Sequence, residues 1–275
     1  MAFVTVKPGA QAKTKHLLAL VLVASSLSHP TPPDNMERRA GISILGISLG
    51  GFIVGQIAAL LLISLAVSVA NYQGTVSHLS KLAEPPWWFT MTSLLGLWLG
   101  FALAVLFMQV KFRVFSDAHV FYVRWSDFWF IVLGIGLQLV IGLLYKPFHV
   151  GGLNKPENRL FGNAHGFEFA LLCVMTGIFA PIMEELFFRG ALLKGLRGLF
   201  SRLQANVAIV SAVVLDAVLF AGAHGELVEF PGLALVGIVL AVIYVRTRRI
   251  VPCILTHAAF NGVAIVVLIS QRLGH

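Results

Sequence analysis

Seven stretches of the 275-residue chain, at about 42–70, 88–110, 127–145, 164–183 and beyond, 205–223, 230–245 and 250–270, are almost free of charge. Each approaches the roughly 20 apolar residues that an α-helix needs to cross a bilayer, although the sixth is short. The apolar character is continuous along each stretch, which excludes the alternating pattern of a lipid-facing barrel. Composition agrees: 58% of residues are hydrophobic, 12% are charged, and the mean hydropathy is +0.88, far from that of a soluble domain. The sequence therefore predicts an all-α, polytopic transmembrane bundle of about seven spans. An eighth span would reverse one terminus.

The formal net charge is +8. In a soluble chain that surplus would suggest nucleic acid as a partner; here its distribution argues for orientation and against nucleic acid. With a cytoplasmic N-terminus, the inner segments 1–41, 111–126, 189–204 and 246–249 hold fifteen of the twenty Lys and Arg residues. Such a bias predicts N-in, C-out, in a multi-pass protein of the cell membrane.

Residues 1–41 form a leader that is expected to be disordered. Three Lys precede an apolar run, Leu17 to Leu27, that is too short to cross, and a Pro cluster at 30–33 follows. The layout suits a signal peptide or a non-structural leader, with Met36 an alternative start. Residues 42–163 are read as N-terminal transmembrane helices and 164–275 as the part that carries chemistry. Cys173 and Cys253 lie in predicted helices without metal-ligand spacing and read as packing residues. Trp87, Trp88, Trp125 and Trp129 fit interfacial belts.

Chemistry enters at residues 181–190, Pro-Ile-Met-Glu-Glu-Leu-Phe-Phe-Arg-Gly. A Glu near the bilayer centre costs roughly 2.5 kcal/mol or more, so two in succession need a partner, a water-filled cavity or a function. Arg189 is four residues after Glu185, on the same helical face, and can be that partner. Glu184 is then left over. Two more polar pairs interrupt later spans: Phe220 with His224, and His257 with Asn261, each spaced i, i+4 and so on one face. Singly, such residues read as interhelical glue. Together, a carboxylate, two imidazoles and an amide in three apolar helices form a constellation. Counting twenty residues from Glu184 to a turn near Gln204 and twenty more to His224 puts the two side chains at one level of a hairpin. His257 follows the basic turn 246–249 by about eight residues, roughly 12 Å, which predicts a shallow site open to the side of that turn.

Glu-Glu-x-x-x-Arg at Glu184, Glu185 and Arg189, Phe-x-x-x-His at Phe220 and His224, and His-x-x-x-Asn at His257 and Asn261 resemble the signature of the CPBP family of intramembrane proteases. This family comprises the type II CAAX prenyl proteases and bacteriocin-processing enzymes, and the resemblance covers about residues 165–270. It implies an intramembrane endopeptidase acting on a membrane-associated or prenylated CAAX-type peptide or protein. Glu184 and His224 would activate a water, His257 and Asn261 would hold the oxyanion, and Glu185, Arg189 and Phe220 would be structural support. Pro181 would let the helix bend open around substrate, and Asp216 reads as a buried polar tether.

The resemblance also admits a zinc-dependent version, in which Glu184, His224 and His257 would be the ligands. H-E-x-x-H is absent, and a donor set of Glu, His, His and Asn favours the metal-free enzyme with no cofactor. A non-proteolytic immunity or scaffold protein of the same fold is the alternative of a different class. It would be favoured by erosion of a motif, and all three are intact. A proton-relaying transporter is a third reading, disfavoured because the intramembrane polar groups are confined to one half of the chain.

Overall fold

A computed structural model describes residues 35–146 and 159–273. The seven spans are helices: α1 Asn35–Val69, α2 Trp87–Phe112, α3 Trp129–Tyr145, α4 Gly166–Leu199, α5 Ala205–Ala223, α6 Phe230–Thr247 and α7 Val251–Leu273. No strand occurs among the described residues. The first helix starts seven residues before the expected 42, so Met36 to Arg39 are helical and do not belong to an unstructured leader. Residues 1–34 lie outside the described residues. α4 continues sixteen residues past Met183 as one helix to Leu199. Its basic residues do not break it, because Lys194 donates to the Val114 carbonyl and lies over the Phe115 ring.

Lipid offers no hydrophobic drive between helices, so close packing needs small residues at the seams. Gly51 and Gly55 of α1 lie against Gly100, Ala104 and Leu97 of α2, and Gly96 lies on the Ala59 backbone. Gly41 meets Gly195 and Gly198 of α4, Gly134 of α3 faces Thr256 of α7, and Gly237 of α6 rests on Ala217 of α5. The second small pair of α1, Gly46 and Gly50, meets nothing within 4 Å. Large apolar side chains such as Leu61, Leu106 and Leu143 point outward, as they must in a body whose solvent is lipid.

The packing defines two ends. At one, Arg249 at the α6–α7 turn forms a bidentate pair with Asp127 before α3, at 2.6 and 2.7 Å, and Ile250 donates its N–H to the Val120 carbonyl. At the other, Arg159 donates to the Ser80 carbonyl, Arg272 to the Ala164 carbonyl, and Tyr145 to the Val228 carbonyl. The first end carries Arg38, Arg39, Lys111, Arg113, Arg124, Arg197, Arg202, Arg246, Arg248 and Arg249; the second carries Lys81, Lys146, Arg159 and Arg272.

Candidate active site

The site is built on a defect in α4. Between Met175 and Phe179 the helix widens into a π turn, and the Ala180 N–H bonds five residues back to the Met175 carbonyl. Continued by one residue, that register pairs position 181 with the Thr176 carbonyl, but Pro181 has no N–H. The Thr176 carbonyl is taken instead by Asn261 of α7, whose Nδ2 donates to it at 2.9 Å. Pro181 thus opens an acceptor, and Asn261 fills it. A second π turn, Phe188–Leu192, lies below the Glu pair and carries Arg189. Such turns concentrate at functional sites because they re-aim side chains within an otherwise regular helix.

Glu184, between these turns, projects one carboxylate oxygen, Oε2, at two imidazoles. His224 Nε2 is 3.9 Å from it and His257 Nε2 is 3.8 Å from it. The hairpin arms do bring Glu184 and His224 to one level. Hydrogen-bond partners fix the orientation of both rings. His224 Nδ1 donates to the Phe220 carbonyl one turn back at 2.8 Å, and His257 Nδ1 donates to Glu185 Oε1 at 2.9 Å. A carbonyl or a carboxylate can only accept, so both Nδ1 atoms carry protons and both Nε2 atoms face Glu184. Among the described residues Glu184 Oε2 has no hydrogen-bond partner. The gaps of 3.8 and 3.9 Å are too long for direct bonds and suit a small molecule held between the three groups.

Beneath this lies a fully buried charge cluster. Glu185 Oε1 accepts from Arg189 Nη1 at 3.1 Å as well as from His257, and Arg189 Nη2 donates to the Gly237 carbonyl at 3.2 Å. Asp216 Oδ2 is 3.6 Å from Arg189 Nε. The Arg189 guanidinium also stands 4.5 Å over the Phe220 ring, which gives Phe220 a packing and cation–π role. Asp216 is thus more than a generic tether: it is the second carboxylate facing one guanidinium. The period of α5 gives no sign of that partner, because Asp216 and His224 are two turns apart and look down into the cluster and up into the cavity respectively.

A cavity of about 740 Å³, mostly apolar, holds Glu184, His224, His257 and Asn261 in its wall. Towards the sparsely charged end it is lined by Tyr145, Arg159, Glu226, Glu229 and Gly232. Towards the basic end it stops on a floor of side chains with no exposure, among them Arg189, Phe220, Leu240 and Cys253. The expectation of a site open to the 246–249 turn is therefore overturned. The residue count from that turn is sound, but Cys253 packs with its thiol against the Leu240 carbonyl, so the first turn of α7 is plugged by α6 and the opening lies at the other end.

Among the described residues no three His, Cys, Asp or Glu side chains are grouped so as to hold a metal ion. Glu184 with His224 and His257 is the set that comes nearest in type: Glu184 Oε2 and the two Nε2 atoms would be the donors to a zinc ion.

Fold and site define a multi-pass helical membrane protein with a carboxylate and two imidazoles facing an intramembrane cavity. Residues 166–263 match the family model of the type II CAAX prenyl endopeptidase Rce1-like proteins. Over these residues, α4 to α7, the chain is similar to that family, and the match spans the same three motifs that carry the resemblance. No curated protein and no solved structure matches the chain.

Proposed function

We propose that the protein is an intramembrane endopeptidase whose nucleophile is a water held between Glu184, His224 and His257. The observation that carries this reading is the unpartnered Oε2 of Glu184, 3.9 and 3.8 Å from two imidazole nitrogens that both turn their Nε2 towards it. A water there gives one proton to Glu184 as it attacks the peptide carbonyl, with the His224 Nε2 lone pair as the second acceptor. His224 is held ready by the bond from its Nδ1 to Phe220.

The tetrahedral oxyanion needs donors. Asn261 keeps one N–H after serving Thr176. His257 already gives its Nδ1–H to Glu185, so it donates from Nε2 only as a doubly protonated ring, with Glu184 and Glu185 on either side to balance the charge. A single preorganised donor of this kind contributes roughly 3 kcal/mol to the rate. Collapse of the intermediate returns the proton from Glu184 to the leaving amine. No step requires a metal. The substrate is a membrane-associated peptide or protein, with a lipidated CAAX-type tail as one candidate; the apolar wall of the cavity suits either. The non-proteolytic reading has no observation in its favour.

The experiment compares wild type with Glu184→Gln, each incubated in lipid with a solubilised membrane proteome, followed by mass spectrometry of new peptide termini. Termini produced only by the wild type support the peptidase. Identical termini in both samples would sink it.

A further inference from the structure

We infer that the catalytic cavity is loaded from the non-cytoplasmic face of the membrane, so that the substrate is a membrane-held peptide whose scissile segment is presented on that side. The inference rests on the peptidase reading of Glu184 and narrows its substrate class. Two independent observations carry it. The first is the shape of the cavity. From Glu184 it runs to a mouth at Arg159, Glu226 and Glu229, where Arg159 and Glu226 are paired at 3.6 Å with side chains 47% and 33% exposed. In the opposite direction Arg189, Phe220, Leu240 and Cys253 are sealed, and behind them the Asp127–Arg249 pair locks the α6–α7 turn to the segment before α3. Among the described residues these side chains leave no opening from that end to Glu184.

The second observation is the charge at the two ends. The sealed end carries ten Lys and Arg residues and the mouth end four, with the buried Arg189 and the half-buried Lys194 of α4 left out of both. All ten lie in short connections or within a few residues of a helix end, where basic residues set orientation. The sealed end is then cytoplasmic. The mouth, rimmed by Glu226 and Glu229, faces outward.

Sidedness can be read without any catalysis, so a failure here is separable from a failure of the peptidase reading. Leu227→Cys stands beside the mouth, at a position 89% exposed, and Leu203→Cys in the α4–α5 turn at the sealed end, 45% exposed. Ala264→Cys lines the cavity itself. Intact cells expressing each variant are treated with a membrane-impermeant maleimide, before and after permeabilisation, with the wild-type chain as blank for Cys173 and Cys253. The expected result is that Leu227→Cys and Ala264→Cys are labelled on intact cells and Leu203→Cys only after permeabilisation. Labelling of Leu203→Cys on intact cells, or of Ala264→Cys only after permeabilisation, overturns the proposal. Loss of surface expression by one variant leaves the other two to decide, since any one labelled from the wrong side is sufficient.

Discussion

His257 is held between two neighbouring carboxylates: its Nδ1 donates to Glu185 Oε1 at 2.9 Å, and its Nε2 faces Glu184 Oε2 at 3.8 Å. Successive residues on a helix point about 100° apart, so a Glu pair can embrace one imidazole only if the ring enters between them from a facing helix. This gives the doublet a meaning that charge pairing with Arg189 alone does not supply. Glu185 belongs to the buried network and fixes the ring, while Glu184 is left to face the cavity.

The two glutamates should therefore fail in different ways. Glu184→Gln keeps size and hydrogen-bonding capacity at a cavity-facing position and should abolish cleavage while moving the melting temperature in detergent little. Glu185→Gln removes the charge that Arg189 and His257 share in a site with no exposure, and unpairing a buried ion pair costs about 3–5 kcal/mol. Thermal unfolding of the two purified variants checks this, and equal melting temperatures would contradict the division of roles.

The α1–α2 seam should be intolerant of side chains. A Cβ on Gly100 would run into Gly51 and Gly55 backbone, which has no rotamer to yield. Gly100→Val should destabilise by about 1–3 kcal/mol. Gly50→Val, at a position with open space around it, should cost nothing, because Val is a better helix former than Gly. The pair is compared by yield of monodisperse protein and by melting in one detergent.

What the sequence discloses follows from the range of the interaction. The spans are legible because each is a run of twenty or so residues obeying one local rule, and Ala205–Ala223 coincides with its expected limits. The polar constellation is legible because Glu, His and Asn are expensive in lipid and stand out singly. The direction of the opening is not legible, because it depends on what plugs the other end, a contact between Cys253 and Leu240 that no spacing encodes. The π turns are invisible too: Met-Thr-Gly-Ile-Phe has no signature of its own, and only Pro181, read as a hinge, hints that a carbonyl nearby lacks its donor. Asp216 can be marked as buried and polar, but its partner Arg189 lies on another helix, 27 residues away in sequence.

Metal dependence is settled by removal and return. Exhaustive dialysis against a chelator should leave the activity of the purified enzyme unchanged, since a water between Glu184, His224 and His257 needs no further Lewis acid when Glu184 is the base. Activity lost on dialysis and restored by stoichiometric zinc would assign those three side chains as ligands, and Glu184 would no longer be the base.

The most specific prediction concerns Pro181 and Asn261. If Asn261 donates to Thr176 because Pro181 cannot, then Pro181→Ala supplies the missing N–H and makes the Asn261 bond redundant for folding. Asn261→Ala in the wild-type background should lose that bond, about 0.6–1 kcal/mol by the measured worth of interhelical hydrogen bonds in membranes. In the Pro181→Ala background the same change should cost less, and a double-mutant cycle of melting stabilities reads the difference as coupling. Activity separates the second role of the amide. Asn261→Ala should lower cleavage by roughly 10²- to 10³-fold in either background if its remaining N–H serves the oxyanion. Additive stabilities would show that Asn261 does not substitute for the Pro181 N–H, and unimpaired cleavage would remove it from the oxyanion site.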